Sequence, residues 1–288
     1  MPVSGVDESV FLRARIGDVD MAWVEASPSA ESADTSRPPL VLVHGFTGHR
    51  DDWIEVLPML AVHQRTIAID LRGHGDSRSI SEPSSYRFEQ LVRDVFGLLD
   101  HLEIGRCDLL GHSVGGMVAL RMALTHPERI RSLILMSTAP ETPEALGRSA
   151  WQKATEIAEA RGMDFLQELS EKAGRGQPDP TLEIWGERYW LHHRRRLGSM
   201  TAASYRGVGE ALFDSKSLVD RLKEIELPSL VMVGSEDSEF LPGAALFEAH
   251  LPNMRRVTVP AAGHHPHQEN TVAWLAAVEA FLGRDADE

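Results

Sequence analysis

Gly111-His112-Ser113-Val114-Gly115-Gly116 is the stretch that decides how this chain folds. It follows an apolar run, residues 106–110, and leads into a helical stretch, residues 114–124. A Gly-x-Ser-x-Gly pattern therefore stands at a strand-to-helix turn. A serine on such a turn is held with its hydroxyl exposed at the carboxyl edge of a sheet. The glycines, lacking Cβ atoms, let the tight turn form and let the helix pack close to neighbouring strands. The pattern alone is common. With glycine and serine each near about 7% of residues, roughly one chain in ten of this length carries it by chance. Its flanks make it specific.

Around that turn the elements alternate. Residues 39–43 and 65–70 are short continuous apolar runs, as in strands buried on both faces. Residues 86–102 place Leu91, Val95, Leu98, Leu99 and Leu102 on one helical face. Residues 131–137, 228–234 and 255–260 read as further strands and 271–282 as a closing helix. At the start, residues 10–15 and 20–25 flank Gly17-Asp18 and read as a hairpin. The Ser/Ala/Pro-rich residues 27–38 read as a mobile surface loop. Strands alternating with helices predict a mostly parallel sheet covered on both faces. The rhythm breaks between about residues 140 and 213. No buried strand is legible there. Helical stretches at 150–160 and 163–173 carry or neighbour large and basic side chains: Trp151, Trp185, Tyr189, Trp190, Arg188, Arg194, Arg195, Arg196 and Arg206. The expected organisation is a core over residues 1–139, a helical cap over 140–213 and a second part of the core over 214–288.

Composition narrows the class. A hydrophobic fraction of 42% with 25% charged residues is that of a globular protein. The net charge of −14 disfavours a nucleic-acid or anionic-membrane partner without identifying a substrate; the expected partner is a small-molecule substrate. Oligomeric state is not legible. The single cysteine, Cys107, permits no intrachain disulfide and reads as a buried core thiol. The first residues show neither a basic start nor an apolar signal core, and no apolar run reaches membrane-spanning length. Together these features predict a cytoplasmic protein.

Chemistry on esters and similar carbonyls needs a nucleophile, a base, an orienting acid and donors for the developing oxyanion. Each has a candidate at a strand end. Ser113 is the nucleophile. His264, directly after Gly263 and just beyond the last strand, is the base, with His265 and His267 as neighbours that could substitute. Asp237, three residues past the strand 228–234, is the acid that fixes the tautomer and orientation of His264. Glu236 and Glu239 are its local rivals. The backbone N–H of Val114 is one oxyanion donor, and Phe46 in His44-Gly45-Phe46-Thr47-Gly48 is assigned the other. His44 reads as a brace for that loop. Asp70-Leu-Arg-Gly-His-Gly-Asp-Ser77 lacks the lysine of a phosphate loop and reads as a structural turn, with Asp70, Arg72 and His74 bonding nearby loops. Met117, Met136, Trp185, Trp190 and Phe240 are candidate apolar pocket walls. No motif calls for a metal, nucleotide or organic cofactor; the Gly/Pro-punctuated histidine run does not supply zinc-ligand spacing on a helix.

With those motifs in hand, the chain resembles the α/β-hydrolase fold family. The likeness rests on His44–Gly48, Asp70–Ser77, Gly111–Gly116, Gly234-Ser-Glu-Asp237 and Gly263-His264. It implies an eight-stranded, mostly parallel sheet with helices on both faces, an inserted helical cap over the active site, and the triad order Ser, Asp, His. Relatives that use an aspartate nucleophile, the epoxide hydrolases and haloalkane dehalogenases, are set aside because that position is Ser113. The expected activity is that of a serine hydrolase of carboxylesterase type. The alternative is a carbon–carbon bond hydrolase or lyase acting on a carboxylated diketone, with Arg188, Arg194, Arg195, Arg196 and Arg206 clamping the carboxylate. A non-catalytic small-molecule receptor is the remaining reading.

Overall fold

Alternating side chains along four short strands feed two separate cores. In β3 (Leu40–Val43), β5 (Cys107–His112), β6 (Ile130–Met136) and β7 (Ser229–Gly234), odd and even positions face opposite ways. Val41, Leu109, Leu133 and Val231 enter one core; Leu42, Leu110, Ile134 and Met232 enter the other. Strands buried on both faces must be covered on both. In the computed structural model, which describes residues 8–29, 37–77, 82–175, 177 and 179–283, helices do this. Helices α2 (Phe88–His101) and α3 (Val114–Thr125) lie on the first face. The second face is closed by α1 (Leu57–Leu60) and, after the last strand, a terminal helix carrying Trp274 and Val278.

The sheet is completed by β1 (Val10–Ile16), β2 (Val19–Ala26), β4 (Thr66–Ile69) and β8 (Met254–Val259). Its eight strands run in the order β1-β2-β4-β3-β5-β6-β7-β8. The pairings β1/β2 and β2/β4 are antiparallel, and every other pairing is parallel. Gly17, at φ 57°, makes the hairpin turn the sequence signalled. Of the loop expected over 27–38, residues 30–36 lie outside the described residues, as do residues 1–7.

Five helices, α4 (Arg148–Arg161), α5 (Met163–Gly174), α6 (Pro180–Trp185), α7 (Glu187–Gly198) and α8 (Ala202–Phe213), lie between β6 and β7. They carry a small core of their own, Ala158, Met163, Leu166, Leu197, Met200 and Tyr205, against which Phe46 of the main body packs. Beyond β7 come α9 (Leu241–His250), α10 (Pro266–Glu269) and the terminal α11 (Thr271–Phe281). Among the described residues no helix is long and apolar enough to cross a membrane.

Candidate active site

Ser113 joins β5 to α3 with φ 54° and ψ −120°, a backbone state that L-residues rarely hold. Its backbone is pinned on both sides. Its N–H donates to the Met136 carbonyl at 2.9 Å. Its own carbonyl accepts from Gly116 N at 2.9 Å, Met117 N at 3.1 Å and Thr138 Oγ1 at 2.6 Å. Sterics explain the flanking glycines: a Cβ on Gly111 would sit 2.4 Å from the Gly115 carbonyl oxygen, and one on Gly115 would sit 2.3 Å from that of Val43. Thr47 (φ 56°), Ser137 (φ 44°) and Ala261 (φ 48°) also adopt positive φ. All three follow parallel strands, so unusual backbone collects at one edge of the sheet.

His264 and Asp237 come from the loops after β8 and β7. His264 Nδ1 lies 3.1 Å from Asp237 Oδ2. An ionised carboxylate only accepts, so Nδ1 carries the proton and Nε2 is left as an acceptor. The two loops are latched together. Ser235 N donates to the Val259 carbonyl at 2.9 Å, and Glu236 N to that of Ala262 at 2.8 Å. A Cβ on Gly234 would come within 2.1 Å of the Gly263 carbonyl oxygen, so only glycine permits this approach.

Three further side chains hold the histidine loop, and sequence reasoning did not single them out for it. The buried carboxylate of Glu269 accepts from Gly263 N, from His265 N at 3.2 Å and from Thr181 Oγ1 at 2.7 Å. It thus grips the backbone on both sides of His264 and ties it to α6. His112 Nε2 donates to the His264 carbonyl at 2.8 Å. The third is Phe240, expected as a pocket wall, whose ring also lies 4.7 Å from that of His264. A carboxylate five residues past a candidate histidine is the sequence signal that could have marked Glu269.

The rival residues sit elsewhere. His265 and His267 pack around His112, with ring centroids 5.1 and 5.7 Å from it. His267 also lies against Trp53 at 4.6 Å, and burial pushes its pKa down to about 3, so it is neutral. Asp237 is buried, whereas Glu236 and Glu239 are exposed.

Ser113 and His264 open into one cavity of about 180 Å³. Phe46, Val114, Met117 and Phe240 line it, joined by Leu146, Leu212 and Glu239, which the sequence reading had not named as walls. Three proposed walls are corrected. Met136 has the same strand parity as Ile134 and enters the opposite core, where its sulfur accepts from Trp274 Nε1 at 3.1 Å. Trp190 is buried inside the helical insertion against Gly174. Trp185 packs with its centroid 5.7 Å from that of His192. Neither tryptophan lines the cavity.

The loop after β3 meets the serine turn closely: a Cβ on Gly45 would lie 3.0 Å from Ser113 Cβ. Phe46 is therefore beside Ser113, and its ring packs at a tilt against Tyr205 of α8 with centroids 5.0 Å apart. Val114 is the first residue of α3, where an N–H has no intrahelical acceptor. His44 braces this loop. Its Nε2 accepts from Leu71 N at 3.0 Å, and burial lowers its pKa to about 4.

The segment 70–77 is a bonded turn. The Asp70 carboxylate accepts from Arg50 N at 2.8 Å and Asp76 N at 2.9 Å. Arg72 is bidentate on Asp94 at 2.6 and 2.7 Å and also reaches Asp18. His74 Nδ1 donates to the Arg72 carbonyl at 3.1 Å. Among the described residues no group of three His, Cys, Asp or Glu side chains is arranged to hold a metal ion.

The arginines of the insertion are engaged. Arg188 pairs with Glu55, Arg194 with Glu171, Arg195 with Asp51 and Arg206 with Glu159. Arg196 donates to the Thr47 carbonyl at 3.0 Å and lies 3.9 Å from Asp52.

Residues 38–271 match the family model of the alpha/beta hydrolase fold. The chain is 31% identical over 256 residues to a pimeloyl-[acyl-carrier protein] methyl ester esterase of Aeromonas salmonicida, covering 85% of this chain and 96% of that one. It is 29% identical over 259 residues to 3-oxoadipate enol-lactonase 2 of Acinetobacter baylyi, covering 88% and 92%. A solved hydrolase from Pseudomonas aeruginosa superposes with a TM-score of 0.79 at 29% identity, covering 96% and 98%. By its sheet order and by these matches, the chain belongs to the α/β-hydrolase fold family.

Proposed function

We propose that this protein is a serine hydrolase of carboxylesterase type, cleaving a carboxylic ester or related carbonyl compound through an acyl-enzyme on Ser113. One observation carries the reading: Ser113 and His264 share a cavity, with Asp237 3.1 Å behind the far nitrogen of the imidazole. His264 Nε2 takes the proton of the Ser113 hydroxyl as Oγ attacks the carbonyl carbon. The oxyanion that forms is met by the N–H groups of Phe46 and Val114. The carbon–oxygen bond to the alcohol then breaks, and His264 returns the proton to the departing alcohol. Water attacks the acyl-enzyme by the same route and releases the acid. Asp237 stabilises the imidazolium formed in each half.

The cavity size favours small acyl groups, since pockets for drug-sized ligands run from roughly 300 to 1,000 Å³ and this one holds about 180 Å³. The carbon–carbon hydrolase and lyase readings drew on insertion arginines free to clamp a carboxylate. Each of those five is already bonded, and none lines the cavity. Ester cleavage is therefore favoured. The single buried cysteine supports a reducing, cytoplasmic setting.

The test is turnover of p-nitrophenyl esters from acetate to decanoate by wild type and Ser113→Ala. The expected result is turnover highest for the short esters and lost in the variant. Equal turnover by both proteins would overturn the proposal.

A further inference from the structure

The charge of the substrate is also legible, given the esterase reading above. Among the described residues the cavity wall is apolar apart from Ser113, His264 and one carboxylate, Glu239. Glu239 sits between β7 and α9, two residues past Asp237 and beside Phe240. Among the described residues its carboxylate has neither an ion-pair nor a hydrogen-bond partner, and its side chain is exposed. Among the described residues no lysine or arginine lines the cavity with it. Arg196 reaches the loop of Phe46, but it is spent on the Thr47 carbonyl and Asp52.

An unpaired carboxylate at the rim of a small apolar pocket repels a second carboxylate and attracts a cation. The overall charge of −14 acts in the same direction at longer range. We propose that Glu239 sets substrate charge: the site takes neutral or cationic small esters and rejects esters that carry a carboxylate near the scissile bond. Rim charges interact through partly screened solvent, so the discrimination is on the order of tenfold in kcat/KM at low salt and shrinks at high salt.

Three butyrate esters differing mainly in the charge of the alcohol part test this: neutral 3,3-dimethylbutyl, cationic choline and anionic 3-carboxypropyl butyrate. Acid release is followed for wild type, Glu239→Gln, Glu239→Lys and Ser113→Ala. In wild type the neutral and choline esters are expected to exceed the anionic ester by about tenfold or more in kcat/KM. In Glu239→Gln the ratio of anionic to choline ester should rise by about tenfold, and in Glu239→Lys it should rise further. Wild-type preference for the anionic ester, or ratios unmoved by both Glu239 variants, overturns the inference and leaves the esterase reading standing. Neutral-ester cleavage that survives Ser113→Ala removes the esterase reading itself, and this inference with it.

Discussion

Mild acid should destabilise this protein well before its carboxylates titrate. His44, His74 and His267 are each at most 1% exposed. Burial lowers their pKa values to about 4, about 3 and about 3. In the unfolded chain each returns to about 6.5. Between those values the unfolded state binds more protons than the folded one, so stability rises with pH. The contribution is complete above pH 6.5 and is lost as pH falls toward the folded values. At pH 5 each histidine is about 1.5 units below its unfolded value, a loss of about 2 kcal/mol at about 1.36 kcal/mol per unit. The three together lose about 6 kcal/mol, against a typical total stability of about 5–15 kcal/mol. The paired carboxylates Asp51 and Asp52 do not act in this window. Their pKa values are lowered, so their contribution persists until pH falls below the ordinary carboxylate range. Urea unfolding followed by tryptophan fluorescence at pH 7.5 and pH 5.0 measures the effect. The expected result is a large drop in midpoint at unchanged slope. A loss below about 1 kcal/mol would refute the claim that these imidazoles are buried and neutral.

Glu269→Ala removes the acceptor for Gly263 N, His265 N and Thr181 Oγ1. It should destabilise the fold by about 1–3 kcal/mol and lower kcat more than it raises KM, with Glu269→Gln intermediate; thermal melts and steady-state kinetics check both. Gly115→Ala drives a Cβ into the Val43 and His44 carbonyls, so a loss of about 1–3 kcal/mol with impaired turnover is expected. Gly105→Ala meets nothing within 4 Å and should melt as wild type does. Cys107 is buried with its pKa pushed up to about 12, so a thiol reagent should react only after denaturant is added.

Most of the sheet was legible because its strands are buried on both faces and therefore appear as short apolar runs. The run at 106–110 ends in the sequence where Gly111 and His112 begin, yet pairing with Leu135 and Met136 carries β5 through both. Polar side chains at a strand's carboxyl end are where apolar patterning fails and where chemistry sits. Helix α9 was missed because its sequence, LPGAALFEAH, is apolar all round and opens with Pro and Gly. Met136 was misplaced because apolarity does not reveal strand parity, and parity decides which core a side chain enters. Trp185 and Trp190 were misplaced because an insertion packs its own large side chains before it lines anything else. The placement of Ser113, Asp237 and His264 just past strands was readable through local spacing. Glu269 and the partners of the arginines depend on contacts between distant segments, which spacing along the chain does not encode.

In the proposed mechanism Ser113 forms a covalent bond under the control of His264. Intact-protein and peptide mass spectrometry after exposure to a fluorophosphonate tests it most directly. One adduct is expected, on the peptide containing Ser113, absent in Ser113→Ala and formed at least about a hundredfold more slowly in His264→Ala. No adduct, an adduct on another residue, or labelling indifferent to His264 would contradict it.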